Sequence, residues 1–182
     1  MLTITIPSIE LFNEETLEFI TPPPKTISLE HSLLSISKWE QKWHKPFLTT
    51  TDKTKEQIMD YIKCMTITQN VSEETYVSII FNKDIYEEIE RYINDPSTAT
   101  TISNGDGGKT YGVKGIGKTV TSEVIYAQMI ELGIPWEAEK WHINRLIMLI
   151  SVCKKRGTAS KKMPSSEAMQ RHIATNAARR KH

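Results

Sequence analysis

The chain opens on a strict alternation: Leu2, Ile4 and Ile6 are apolar, while Thr3 and Thr5 are polar. That period of two is the pattern of a strand with one buried face. Glu10-Leu11-Phe12, a polar Asn13-Glu14-Glu15 turn and Leu17-Glu18-Phe19-Ile20 follow as a predicted hairpin. Pro22-Pro23-Pro24 is then an extended spacer, because consecutive prolines neither donate to a sheet nor enter a helix interior.

From residue 28 the period lengthens. Ser28 is suited to cap a helix, and Leu29, Leu33, Ile36, Trp39 and Trp43 recur at steps of three and four along one face. Lys45-Pro46 ends that helix, since the residue before a proline avoids the α region. Thr54 and Gln57 form a capping-box pattern ahead of Ile58, Tyr61, Ile62 and Met65. Tyr76 to Phe81 fits either strand or helix, and Asn82 caps a helix whose stripe is Ile85, Ile89 and Ile93. Further on, Thr121 or Ser122 starts a helix with Ile125, Met129 and Leu132 inward, and Gly133 ends it. Pro135 takes the first position of the next helix, which carries Trp136, Trp141, Leu146, Ile147, Ile150 and Cys153 as far as Gly157. Ser165 caps a last helix with Met169, Ile173 and Ala177 at four-residue spacing.

Between these helices, residues 97–120 turn to Thr, Gly, Ser and Lys, with two short strands predicted around Asn104-Gly105-Asp106-Gly107-Gly108. The fold class expected is mainly α (α+β): a bundle-like helical domain with an N-terminal hairpin and strand region, a central Gly/Thr-rich ribbon or loop, and a basic C-terminal helix. The division expected is a β-rich extension at 1–27, a helical core at 28–156 with the ribbon inserted at 97–120, and a basic tail at 157–182.

Composition narrows the class. A chain of 182 residues with 38% apolar and 25% charged residues is a globular protein able to bury about two-thirds of its unfolded surface. Its longest apolar stretch, Leu146 to Cys153, is interrupted by Ser151 and too short to span a bilayer, and no secretion signal is expected from Met1 to Pro7. Cys64 and Cys153 stand far apart and are expected to be free buried thiols of an intracellular protein. The net charge of +1 hides a split: residues 154–182 hold nine basic residues and one acidic, leaving the body with 14 basic and 21 acidic. An acidic body with a basic arm suits nucleic acid, an acidic partner or a neighbouring copy.

Gly112-Val113-Lys114-Gly115-Ile116-Gly117-Lys118-Thr119 satisfies the phosphate-loop pattern G-x-x-x-x-G-K-[ST]. Such a loop needs a buried apolar strand before it, and Asn104 to Tyr111 is glycine-rich and polar, so a ribbon accounts for the match better than nucleotide binding. The helix, Gly133-Ile134-Pro135 turn and helix resemble a helix-turn-helix, but the second helix begins Trp136-Glu137-Ala138-Glu139, which phosphate would repel. The five histidines neither pair at i,i+4 nor cluster with cysteine, so no metal is expected. No nucleophile–base pattern appears, and neither an enzyme nor a cofactor is expected. Trp39 and Trp43, and Trp136 and Trp141, are either core residues or partly exposed anchors of a binding face. In the tail, Arg179, Arg180 and Lys181 are candidate electrostatic contacts; the absence of aromatic residues there favours a docking arm over nucleic-acid contact.

Five blocks of the sequence resemble a family of small proteins from the tail gene region of siphovirus-like tailed bacteriophages of Gram-positive hosts. They are Ser28 to Leu48, Tyr61 to Val71, Asn94 to Ser103, Thr121 to Cys153 and Lys161 to His182. These proteins resemble tail assembly chaperones. The resemblance implies a helical, non-enzymatic protein of the host cytoplasm that coats the tape-measure protein and helps recruit the major tail protein; the basic arm adds possible self-association, and the short apolar runs predict no membrane contact. It leaves two alternatives: a structural virion protein of the tail, baseplate or head–tail connector, and a nucleotide binder through Gly112 to Thr119.

Overall fold

The structure is a computed structural model and describes residues 1–8, 10–13, 15–21, 23–100 and 119–160. It is mainly α with small antiparallel sheets at the N-terminal end. Four short strands come first: β1 (Leu2–Ile6), β2 (Leu11–Asn13), β3 (Glu18–Ile20) and β4 (Lys25–Leu29). β2 and β3 form the expected hairpin, with Phe12 opposite Phe19. β1 pairs antiparallel with β4, placing Ile4 beside Ile27 and Leu2 beside Leu29. Threonine and serine fill the other face, where Thr5 and Thr26 hydroxyls meet at 3.0 Å.

That pairing corrects two expectations. Ser28 is a strand residue and caps nothing: its N–H donates to Thr68 Oγ1 at 2.9 Å and its carbonyl accepts from Ile67 N–H at 2.8 Å. The 27/28 boundary therefore runs through β4, and Ile4, Ile6, Ile27 and Leu29 belong to the same core as the helices. Helix α1 (Leu33–Trp43) instead starts after Ser32, whose side chain accepts from Ser35 N–H while the Ser35 hydroxyl accepts from Ser32 N–H at 2.9 Å.

α2 (Lys55–Met65) opens on the predicted Thr54–Gln57 capping box. The ambiguous segment is helix α3 (Glu73–Phe81): Tyr76 and Ile79 are buried three residues apart while Phe81 stands exposed. Asn82 caps α4 (Lys83–Asn94) through Oδ1, which accepts from Ile85 N–H at 3.2 Å. α5 (Ser122–Glu131) ends in a Schellman motif: Gly133 takes φ +63°, Ile134 N–H donates to Met129 O at 2.9 Å and Gly133 N–H to Ile130 O at 3.2 Å.

The single helix expected from Pro135 to Gly157 is broken. A 3-10 helix (Trp136–Lys140) is followed by extended backbone at Trp141 and then by α6 (Ile143–Ser160). His142 bridges to Ser32, and Ile143 N–H donates to His31 O at 2.7 Å, so pairing with the residues before α1 outcompetes helix continuity there. α6 also passes through Gly157, whose helix penalty of about 1 kcal/mol is too small to end a packed helix. Thr98 to Thr100 are not in a strand, and residues 101–118 of the ribbon and the segment beyond residue 160 lie outside the described residues.

α1 sits at the centre, packed by α2, α5 and the 3-10 helix. Leu33, Ile36 and Trp39 meet Tyr61, Ile62, Met65, Ile125, Met129 and Leu146 in one continuous core. Burying a side chain of this size contributes about 1.5–3 kcal/mol.

Candidate interaction surface

α5 is apolar on two sides. Ile125 and Met129 face the core, four residues apart, while Tyr126 and Ile130, at the same spacing, lie about 100° round the helix, with Tyr126 half-buried and Ile130 exposed. Ile130 is 69% exposed and Trp136, at the start of the 3-10 helix, 53%. The Trp136 ring stacks on Tyr126 at 5.0 Å and 21° between planes, which joins the two elements into one aromatic face. Tyr126 O–H donates to Glu139 Oε2 at 2.9 Å, fixing the phenol. Partial burial and that carboxylate together push the Tyr126 pKa well up, so the phenol stays neutral. Glu123, Glu131 and Glu137 are exposed around this face. Trp141, just past the 3-10 helix, is 38% exposed, and the Arg145 guanidinium lies 4.5 Å over its ring.

The other tryptophans differ. Trp39 is a correction to the reading of partly exposed anchors: it is fully buried, and its Nε1–H donates to Gln57 O at 2.8 Å. It occupies the inward face of α1, the one on which Leu33 and Ile36 recur, and so has no surface to offer. Trp43 is half-buried and tilted against Trp39 at 6.4 Å, with its Nε1 unpartnered. Arg179, Arg180 and Lys181 lie outside the described residues, as does Gly112 to Lys118 of the phosphate-loop pattern; Thr119 is exposed. Sequence reasoning missed Tyr126, Ile130 and Arg145. The visible signal for the first two was an i,i+4 apolar pair offset by one position from the core stripe.

Two further features are internal. Between α2 and α4 lies an apolar cleft of about 180 Å³, lined by Phe47, Lys53, Ile62, Tyr86, Ile89 and Ile93 among others. It is smaller than an ordinary small-molecule pocket of about 300–1,000 Å³. Lys53 Nζ sits 4.4 Å over the Phe47 ring and donates to Thr50 O, and burial lowers its pKa. Near the start of α6, a polar chain links His31, Tyr61, His142, Tyr92 and Glu30. His142 Nε2–H donates to Tyr92 O at 3.0 Å and Nδ1 accepts from Asn144 N–H at 3.3 Å, which fits a neutral ring. Burial lowers the His142 pKa, against the pull of the Tyr92 carbonyl. His31, 3% exposed, is pushed down to about 3 by burial and by His142.

Among the described residues, no group of three or more His, Cys, Asp or Glu is placed to hold a metal ion. Cys64 and Cys153 are unpaired and half-buried, not fully buried, and burial pushes the Cys64 thiol up. No helix among the described residues is long and apolar enough to cross a membrane. No protein-family model, curated protein or solved structure matches the chain.

Proposed function

We propose that this chain is a bacteriophage tail assembly chaperone, a binding protein without catalysis that acts in the host cytoplasm on the tape-measure and major tail proteins. The observation that carries the reading is the uncovered aromatic side of α5 and the 3-10 helix. A helix that buries Ile125 and Met129 inward still presents Ile130 outward, beside the half-buried Tyr126 ring that stacks on the exposed Trp136. Tryptophan and tyrosine in a stacked pair supply large contact area at little conformational cost, and surrounding glutamates keep the face soluble until it is covered. An amphipathic helix of a rod-like partner suits such a face, with its apolar stripe on Trp136 and Ile130 and lysine or arginine against the rim. The residues concerned lie within Thr121 to Cys153, the longest block of the family resemblance.

The test is co-expression with the tape-measure protein encoded by the same phage. Co-purification is expected for the wild type. The Ile130→Ser/Trp136→Ser double variant should bind at least about tenfold more weakly, since a central aromatic anchor is worth about 2 kcal/mol or more. Retained binding by a folded double variant would remove the surface from the reading. Stoichiometric presence in purified virions would replace the chaperone with a structural virion protein.

A further inference from the structure

We propose that the β2–β3 hairpin is the docking site for the basic C-terminal segment, residues 161–182, of a second copy of this chain. The inference stands on different residues from the chaperone reading and does not depend on it. Phe12 and Phe19 face each other across the hairpin with ring centroids 5.2 Å apart, yet they are 52% and 67% exposed, and Leu17 at the turn is 74% exposed. A two-stranded hairpin is marginal alone in water, and one that leaves its aromatic pair open gains most from being covered. Residues 8–24 hold four acidic residues, Glu10, Glu14, Glu15 and Glu18, and no basic one. Glu10 is exposed two residues before Phe12, and Glu18, opposite Asn13, is exposed on the other face of the hairpin from Phe19.

Residues 161–182 are the chemical complement. They carry six basic residues, Lys161, Lys162, Arg171, Arg179, Arg180 and Lys181, against the single Glu167. Met169, Ile173 and Ala177 recur every four positions, an apolar stripe matched to an apolar hairpin face. Charge and hydrophobicity therefore agree on one occupant. The β2–β3 hairpin is a sheet of its own and pairs with neither β1 nor β4. The hairpin returns to the core through Thr21 to Pro24, a stiff proline spacer, and α6 runs on to Ser160 with Arg156 exposed. A hairpin in a sheet of its own can be covered by another copy without disturbing the core. Tail of one copy on hairpin of the next leaves one tail and one hairpin free at the two ends of an open array, and none where the contacts close.

The test is zero-length carbodiimide cross-linking of the full chain, prepared as a mixture of unlabelled and 15N-labelled protein and read by mass spectrometry. The expected products join Lys161, Lys162 or Lys181 to Glu10, Glu14, Glu15 or Glu18 between differently labelled copies. The Phe12→Ser/Phe19→Ser variant should lose them. Self-association by sedimentation velocity should weaken at least about tenfold in that variant, in Glu10→Gln/Glu18→Gln, and in raised salt. The second variant keeps the aromatic pair and guards against misfolding of the first. Cross-links confined to one copy would replace the proposal by a contact within the chain. Absent or unrelated cross-links, or self-association unchanged in both variants, would overturn it.

Discussion

Both carboxylate oxygens of Glu40 end on main-chain amides: Oε1 accepts from Phe47 N–H at 2.8 Å and Oε2 from Ser122 N–H at 2.7 Å. One buried side chain thus fixes the turn after α1 and the first residue of α5, 82 positions along the chain. A carboxylate is acceptor-only, and a helix N-terminus presents donors with a favourable dipole, so charge and geometry agree. In Glu40→Gln the amide nitrogen must face one of those N–H groups. The expected loss is about 2–3 kcal/mol, whereas Glu88→Gln on the exposed side of α4 should stay within about 0.5 kcal/mol. Urea midpoints of the two variants test the contrast, and equal midpoints would remove Glu40 from this role. The tryptophans make a second contrast. Trp39→Phe empties volume from the core and abandons the bond to Gln57 O, at a cost of about 2–3 kcal/mol. Trp136→Ser should leave the midpoint nearly unmoved while weakening partner binding.

Among the elements, the end of α5 isolates a backbone effect. Gly133 holds φ +63° with nothing within 4 Å of where a Cβ would stand. Gly133→Ala is therefore expected to cost about 1 kcal/mol from the left-handed conformation alone, and Gly133→Asn less, because asparagine tolerates that region. Thermal midpoints falling in the order Gly, Asn, Ala would bear this out; an alanine variant as stable as the parent would contradict it. That terminus was legible in the sequence because its cause is local. The capping box of α2, the Asn82 cap and the alternation of β1 were legible for the same reason. The starts of α1 and α6 were not: non-local bonds to Ile67 and Thr68 hold Ser28 in a strand and leave the cap to Ser32, and bonds to Ser32 and His31 hold His142 and Ile143. A hint of the second break did stand in the spacing. Trp136, Trp141 and Leu146 are five apart, and five residues rotate a helix about 140° beyond a full turn, off any single stripe. The interaction surface was half legible: four tryptophans were nameable, but which of them faces the core depends on how α1 and α5 pack.

Over the whole molecule, the histidine cluster ties stability to pH. His31 and His142 lie ring to ring at 5.1 Å, among Tyr61, Tyr92, Glu30 and the Met1 amine, which itself pairs with Glu30 at 2.9 Å. Both imidazoles have lowered pKa values in the fold, His31 at about 3, so the unfolded chain binds more protons than the native one below its own value of about 6.5. Stability is then complete above pH 6.5 and falls as the pH drops toward 3, by at most about 1.4 kcal/mol per unit for each fully shifted imidazole. Glu74 and Glu123 act in a lower window. Backbone hydrogen bonds hold both carboxylates below their ordinary range, so their contribution is lost only as the pH falls through about 4.5 and lower. A decline already present between pH 6.5 and 5 therefore belongs to the histidines. His31→Asn keeps a polar group near Tyr61 without a titrating ring. It should lower stability at pH 7 yet flatten the slope between pH 6.5 and 5. Urea midpoints at half-unit intervals decide the matter: a wild-type profile flat across that interval, or a His31→Asn slope as steep as the parent's, would mean that the cluster does not couple folding to protonation.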